Sequence, residues 1–244
     1  MIGGGLLVAL VAAGAVVLFG FRDVATTLGE QDIGVTVVTG GGQPGDHGLY
    51  KYATTGYETT DALGDARHDY PPETYLTIQP GGCGTLVRWQ PLAQRYEEWD
   101  YCPDGRMDGW YSYFEWFQFG NTDHWECPQP ADVQGEPGSS WTIECFRSET
   151  PNAAAAVETI TYEVLGHEPI TVGTQEVQTL HVRATEVGTG GSVADGVVDT
   201  WYLPGTHLPV RRTVVYDSIT DSRIGSVRYH EQAEIQLISF LPSG

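Results

Sequence analysis

The sequence predicts an all-β domain, a curved antiparallel meander of half-barrel or sandwich-like form, behind one N-terminal transmembrane helix. Three observations lead to this fold class. Residues 1–21 carry no charged side chain, and short β-prone runs separated by Gly, Pro and Asp fill the chain from residue 49 onward. Beyond the first segment, no apolar stripe has the period of a helix.

Residues 1–21 have the length and composition of a membrane anchor. At about 1.5 Å per helical residue this segment matches the hydrocarbon core of a bilayer, which is about 30 Å thick. A cleaved signal peptide begins with a basic region and ends in a small-residue cleavage site. Here no Lys or Arg precedes the apolar run, and the small residues 12–15 lie inside it. The pattern favours a retained signal anchor.

Three segments follow from the composition of the chain. Residues 1–21 form the predicted anchor, and residues 22–48 form a juxtamembrane stalk that contains Gly and Pro. Residues 49–244 form a single β domain, which is long enough to bury one core. That domain has an aromatic, disulfide-bearing half over residues 49–148 and a regular meander half over residues 153–241.

The cysteines predict two disulfides. They are Cys83, Cys102, Cys127 and Cys145. The first two are equidistant from the point between Leu92 and Ala93, and the last two are equidistant from Glu136 in a Gly/Pro turn. Folding each stretch as a hairpin places the thiols opposite each other, so we expect sequential bridges, each stabilising by about 3 kcal/mol. Zinc binding is the alternative, but no CxxC pair occurs.

Disulfides also predict the compartment and the topology. They persist in oxidising environments, so residues 49–244 are expected outside the cytoplasm. Few basic residues flank the anchor, and charge alone therefore does not orient it. The expected location is the cell membrane, crossed once, with the N-terminus inside and the C-terminal domain extracytoplasmic.

The second half has the clearest strand pattern. The predicted strands are 159–165, 176–187, 197–203, 210–217 and 225–240. In the last of these, one face carries Val227, Tyr229, Ala233, Ile235 and Leu237. The other face is polar, which is typical of an antiparallel sheet with one buried face. The alanine-rich run 152–158 is compatible with one short helix.

Aromatic residues are concentrated between Trp89 and Trp125. In the run 110–119 neither alternating face is polar, so both faces need a cover from the sheet's own curvature, a loop or a ligand. Trp110, Phe114 and Trp116 are the candidate apolar ligand surface. The alternative is that these rings fill a disulfide-stapled core.

Charge and motifs exclude several classes of function. The net charge of −20 repels phosphate backbones, so no nucleic-acid partner is expected. The sequence contains no GxSxG elbow, no phosphate-binding loop and no HExxH motif, and its histidines do not recur at metal-ligand spacing. We therefore predict no catalytic residue, no metal and no cofactor, and we expect that the protein is not an enzyme.

Several short motifs resemble those of a known group of proteins. The motifs are YATTGYE (52–58), ARHDYP (66–71), GCG (82–84), RYEEWDYC (95–102), WYLP (201–204) and LPV (208–210). Over residues 49–240 the chain resembles an uncharacterised actinobacterial family of membrane-anchored extracytoplasmic β proteins. The resemblance implies the same location and brings no assigned activity.

The second half is also faintly similar to the half-barrel of Lol-type lipoprotein carriers. The similarity lies in a meander with one apolar face and in the strand end at Trp201 to Pro204. It implies an apolar concavity that holds acyl chains. The helices that close the carriers' half-barrel have almost no counterpart in this sequence.

These observations lead to one hypothesis and two alternatives. The leading hypothesis is a non-enzymatic, extracytoplasmic, membrane-anchored protein that binds an apolar, lipid-like ligand or an envelope partner. The first alternative is a structural or protein-interaction module of the cell envelope. The second is a surface hydrolase, which needs perturbed carboxylates in a cleft.

Overall fold

The computed structural model describes residues 23–34, 43–104, 106–130, 134–150, 153–223 and 225–242. Apart from one 3₁₀ turn at Glu30–Asp32, the regular elements in these ranges are thirteen β-strands. The strands are β1 Gly48–Thr60, β2 Ala66–Asp69, β3 Glu73–Pro80, β4 Thr85–Leu92, β5 Arg95–Tyr101, β6 Met107–Trp116, β7 Phe119–Glu126, β8 Ser140–Arg147, β9 Ala156–Val172, β10 Gln175–Gly190, β11 Ser192–Tyr202, β12 Pro209–Ser222 and β13 Gly225–Leu237.

The sheet closes on itself as a 12-stranded antiparallel barrel. From β3 onward each strand pairs with its neighbours in the chain, and β13 returns to pair with β1 from Tyr52↔Leu237 to Thr60↔Tyr229. The other edge of β1 pairs with β3 over its first half and with the short β2 over its second half. Closure gives both terminal strands a hydrogen-bonding partner, so the barrel has no long free edge.

The predicted all-β antiparallel fold is confirmed, whereas the half-barrel or sandwich-like form is wrong. The five strands predicted in the second half correspond to β9 through β13; β9, β10 and β12 are longer at both ends, β11 begins earlier, and β13 ends at Leu237 instead of residue 240. The short helix at residues 152–158 is also wrong, because Ala156 and Glu158 belong to β9 and pair with both β8 and β10. Pairing with two flanking strands outweighs the helix propensity of alanine, which is high but is readily overridden by tertiary contacts.

Hairpin turns alternate between two ends of the barrel. At the end that we call the closed end, the lumen is filled by large buried side chains. They include Tyr50, Tyr52, Leu76, Ile78, Trp89, Leu208, Val210, Ile235 and Leu237. The Tyr52 hydroxyl donates to the carbonyl oxygen of Pro209 at 2.5 Å, which ties β1 to β12 across this core. The opposite end, where the β6–β7 and β10–β11 turns lie, we call the open end.

Both predicted disulfides are confirmed. Cys83 bonds to Cys102, and Cys127 bonds to Cys145. The second bridge lies beside the shortest ladder of the barrel wall, which we call the β7–β8 seam. Among the described residues this seam consists of two pairs, Trp125↔Arg147 and Glu126↔Phe146.

The first described segment runs along the outer wall of the barrel. At the open end, the amide N–H of Thr26 donates to the Gln94 side-chain oxygen at 2.9 Å. Further along, Ile33 packs on Leu49 and Tyr75. The predicted boundaries of the stalk and of the β domain stay predictions, although this part of residues 22–48 contacts the barrel.

The predicted transmembrane helix over residues 1–21 lies outside the described residues. Across the ranges that the structure describes, no helix is both long and apolar enough to cross a membrane.

Candidate functional site

The lumen beneath the open end contains a cavity of about 370 Å³. Its wall is mainly apolar and rich in aromatic rings, with polar and charged side chains between them. The lining rings include Trp99, Trp110, Phe114, Trp116, Trp125, Tyr162, Tyr216 and Tyr229. Its entrance is bordered by Leu63 on the β1–β2 turn, Phe117 on the β6–β7 turn and Phe119 at the start of β7. The volume falls in the range of small-molecule sites, about 300–1,000 Å³.

All three residues predicted as an apolar surface line this cavity. Trp110, Phe114 and Trp116 alternate on the inner face of β6, because successive side chains of a strand point to opposite sides. Trp110 stacks on Trp125 with ring centroids 5.4 Å apart. Phe114 meets Tyr229 edge-on at 5.0 Å. That these rings bind a ligand stays a prediction.

The outer face of β6 is covered by neighbouring side chains. Tyr111 stacks on His124 at 4.3 Å, and Tyr113 stacks on Tyr96 at 5.3 Å. The Tyr113 hydroxyl also donates to Glu115 at 2.6 Å. The aromatic run therefore has a cavity on one side and stacked surface rings on the other, which explains why neither face is polar in the sequence.

A buried ionic cluster forms one side of the cavity. We call it the Arg95 cluster, after a side chain with 1% exposure. The Arg95 guanidinium contacts Glu97, lies 2.9 Å from Glu231 and lies 3.5 Å from Glu58. Arg212 bonds to the second oxygen of Glu97 at 2.9 Å. Burial opposes the ionisation of Glu97, but Arg212 and Arg95 outweigh it, so the pKa of this carboxyl is lowered.

The Arg95 cluster continues to the entrance through His68. The His68 ring lies between Glu58 and Asp23, with each ring nitrogen 2.9 Å from a carboxylate oxygen, and it stacks on Trp116 at 3.9 Å. Burial lowers the pKa of His68, yet the hydrogen bond to Glu58 and the charges of Glu58 and Asp23 raise it above its ordinary value. Asp23 also accepts a hydrogen bond from the amide of Phe117 at 3.0 Å.

Two inward-facing carboxyls have no basic partner among the described residues. Glu158 on β9 is 0% exposed, and neither of its carboxyl oxygens has a hydrogen-bond partner there. Glu186 on β10 lines the cavity. Burial raises the pKa of Glu186 to about 7, and burial together with the charge of Glu186 raises the pKa of Glu158 well above its usual range. We call these two residues the carboxyl pair.

The bases whose charges act on the carboxyl pair, Arg147 on Glu158 and Arg212 on Glu186, are already engaged. Arg147 bonds to Asp123 at 2.8 Å and to the carbonyl oxygen of Ala154 at 3.0 Å. The carboxyl pair therefore differs from the other acidic groups of the lumen, which bind arginine or histidine. An unpaired buried carboxyl is costly, so such a pair points to a role other than stability.

Sequence reasoning missed the charged residues of the lumen. Glu231 has the same parity as Tyr229 and Ala233 on β13, and Glu186 has the same parity as Ala184 on β10. Because successive side chains of a strand alternate between its two faces, both glutamates are on the inner face of the barrel. In the sequence, a glutamate on an otherwise apolar strand face looks like an interruption of the alternating pattern. In this barrel such glutamates form the polar part of the site.

A metal centre finds little support in the described residues. The group of potential ligands found there consists of Cys83, Cys102 and Asp108. Both thiols are consumed by a disulfide, and they therefore offer no thiolate to a metal. That the protein has no cofactor or metal stays a prediction.

Comparisons with other proteins add little to this geometry. No protein-family model matches the sequence, and no curated protein matches it. Among solved structures, the chain is similar to the hypothetical lipoprotein YmcC from Escherichia coli K12, with a TM-score of 0.37 and 12% identity over 80% of this chain and 85% of the other. A likeness this distant does not transfer function. The resemblances to an actinobacterial family and to Lol-type carriers are not confirmed.

Proposed function

We propose that this protein is a non-enzymatic, extracytoplasmic binding protein that holds a small apolar ligand in its barrel. The cavity beneath the open end is the observation that carries this proposal. Its wall is mainly apolar and includes tryptophan, phenylalanine and tyrosine rings, and its entrance is bordered by Leu63 and Phe119. Concave, mainly apolar sites with a few polar groups are the common form of small-molecule sites.

The perturbed carboxyls favour a second candidate, a hydrolase, because catalytic acids often have raised pKa values. Glu186 meets this condition and lines the cavity. Its neighbour Glu158 also has a raised pKa, but its side chain is 0% exposed and lies behind the cavity wall, so it is closed to a substrate. Glycoside hydrolysis needs two carboxyl groups that both reach the scissile bond. Binding therefore suits the carboxyl pair better than catalysis does.

The location that we propose is the outer side of a membrane. Two disulfides support an oxidising compartment. The apolar run 1–21 has the length of a bilayer-spanning helix. Asp23, which follows it closely, bonds to His68 and Phe117 at the open end of the barrel. An anchor that leaves the barrel at this point holds the entrance of the cavity close to the lipid surface.

The rim of the open end has apolar side chains suited to that position. Val24, Leu63 and Phe119 are 61%, 58% and 62% exposed. Large apolar side chains exposed together mark a contact surface for lipid or protein. We propose that this rim faces the bilayer, so that an apolar ligand moves between membrane and cavity without crossing much water.

Ligand binding is tested by truncating one ring of the cavity. We expect Phe114→Ala to weaken binding of the fluorescent probe N-phenyl-1-naphthylamine by about tenfold, because a buried phenylalanine contributes about 1.5–3 kcal/mol of apolar contact. The matched control is Tyr113→Ala, which removes a ring from the outer face of the same strand. Fluorescence titration of the purified proteins measures both affinities.

Two results would overturn the binding proposal. One is equal probe affinity for both variants and the unchanged protein. The other is a failure of the unchanged protein to bind the probe, together with no apolar molecule in solvent extracts of the freshly purified chain analysed by mass spectrometry.

The orientation of the rim is tested with an environment-sensitive dye. Full-length protein in phosphatidylcholine vesicles carries the dye on Phe119→Cys or, as a control, on Pro204→Cys in the β11–β12 turn at the closed end. We expect a blue-shifted emission for the dye at residue 119 and water-like emission at residue 204. Water-like emission at both positions contradicts a rim that faces the bilayer.

A further inference from the structure

We propose that the ligand carries a protonated amine, and that this ammonium group binds to Glu186 of the carboxyl pair, with the buried Glu158 behind it, while the apolar part of the ligand contacts the aromatic rings of the wall. The inference rests on the proposed binding function and deepens it, because it names the chemical class of the ligand. It starts from two carboxyl groups whose surroundings offer them no partner.

The carboxyl pair lies on the inner faces of neighbouring strands. In the β9–β10 ladder Glu158 is opposite Gly188, and Glu186 is opposite Ile160, so the two acidic residues are diagonal neighbours. Such neighbours are about 7–8 Å apart, so the charge of the buried Glu158 acts on a group that is bound to Glu186. On its other side Glu186 is opposite Gly196 of β11. Each glutamate thus has a glycine beside it, which supplies no side-chain donor.

Charges on the surrounding strands do not neutralise the carboxyl pair. The charged groups that face it are Arg147 from β8, Asp123 from β7, Arg212 from β12, Glu97 from β5 and Glu231 from β13. Arg147 bonds to Asp123, and Arg212 bonds to Glu97. Glu231 is bonded to Arg95, and Arg223 lines the cavity from the β12–β13 turn. Next to the carboxyl pair a carboxylate ligand meets two groups that carry its own charge when ionised, whereas a cation supplies the missing partner.

The rings near the carboxyl pair favour the same class of ligand. Trp110, Trp125 and Tyr216 line the cavity together with Glu186. Aromatic faces attract ammonium groups, and the attraction is stronger where water is excluded. Hydrogen bonds from an ammonium to a carboxylate are among the strong ones in proteins. A ligand with an amine at the end of an apolar chain therefore has a group for each part of the lumen: the ammonium for the carboxylate and the chain for the aromatic rings.

Burial also makes amine binding depend on pH. Because burial raises the pKa of Glu186 to about 7 and that of Glu158 as well, the empty barrel holds protons on these groups that the unfolded chain has released. An ammonium bound to Glu186 favours the ionised form of both carboxyls. Binding then releases protons, and affinity for the amine rises from about pH 5 to about pH 8, as long as the amine itself stays protonated.

The experiment compares three probes with the same chain. Decylamine, decanol and decanoate are titrated into the full-length protein by calorimetry at neutral pH, in two buffers of different ionisation enthalpy. We expect decylamine to bind about tenfold more tightly than decanol, with release of protons, and decanoate to bind most weakly. Glu158→Gln and Glu186→Gln should each remove most of the preference for the amine. The control Glu163→Gln removes an equal charge from the outer face of β9 and should retain the preference.

The outcomes separate this inference from the proposed function. If all three probes bind with similar affinity, the cavity binds apolar ligands but the amine inference is wrong. If none binds, the proposed function fails first. If the preference for decylamine is lost equally in Glu163→Gln, it arises from the acidic surface, and the inference is overturned. It is also overturned if calcium ions alone displace decylamine.

Discussion

Replacing Arg95 by methionine is expected to lower the free energy of unfolding by about 3–5 kcal/mol. Arg95 is buried and contacts Glu58, Glu97 and Glu231. Methionine retains much of the volume but leaves three buried carboxyls facing one another, with Arg212 bonded to only one of them. Urea unfolding at neutral pH, monitored by tryptophan fluorescence, measures the loss.

A second arginine in the same part of the barrel provides the control. Arg88 on β4 lies on the outer surface, 3.7 Å from Glu98 and stacked over Tyr96 at 3.8 Å. Exposed ion pairs contribute about 0–1 kcal/mol. Arg88→Met is therefore expected to change stability by about 1 kcal/mol or less. If both variants lost a similar free energy of unfolding, burial of the Arg95 cluster would not explain the contribution of Arg95 to stability.

Removing the Cys127–Cys145 bridge is the second change with a large expected effect. The double variant Cys127→Ala, Cys145→Ala should lose about 3 kcal/mol, because the bridge closes a loop with a sequence separation of 18 residues in the unfolded chain. It should also open the β7–β8 seam, where two residue pairs form the ladder between the described parts of the strands. Hydrogen exchange at the amides of the two opposite pairs, Trp125 with Arg147 and Glu126 with Phe146, measures that opening, because one of these pairs exchanges its N–H groups across the seam.

The other disulfide separates the two effects. The Cys83–Cys102 bridge has a similar sequence separation, 19 residues, but the strands beside it pair along most of their length. Its double alanine variant is expected to lose a similar free energy of unfolding while exchange at the seam remains slow. Fast exchange at the seam in this variant, or slow exchange without Cys127–Cys145, would contradict the assigned role of the second bridge.

Local features of this fold are readable from the sequence. Strict alternation on β13 and β10 places the apolar faces correctly, and the symmetric spacing of the cysteines about two turns gives the right pairing. Both depend on residues that are near in the chain. The aromatic run on β6 likewise indicates a strand that needs a cover on each face, and Trp110, Phe114 and Trp116 do line the cavity.

Long-range features are not readable in the same way. Pairing of β1 with β13 depends on the accumulated twist of a dozen strands, which no local pattern encodes. The partners of Arg95 come from β1, β5 and β13, so the Arg95 cluster exists only after closure. A charged residue on an inner face has no visible partner in the sequence. Its position in the alternating pattern shows which face of the strand it is on. The residues that neutralise its charge come from strands on other parts of the barrel.

Closure by the first and last strands has a consequence for folding kinetics. Until β13 is available, β1 presents an unpaired edge, and the growing meander presents another. The final pairing joins residues near opposite ends of the described chain, so it has a large entropic cost of loop closure. We therefore expect slow folding for a domain of this size. While the chain leaves a ribosome or a translocon, the strands that are already available can form only an open sheet. A chaperone that shields those edges is then most needed just before the last hairpin appears.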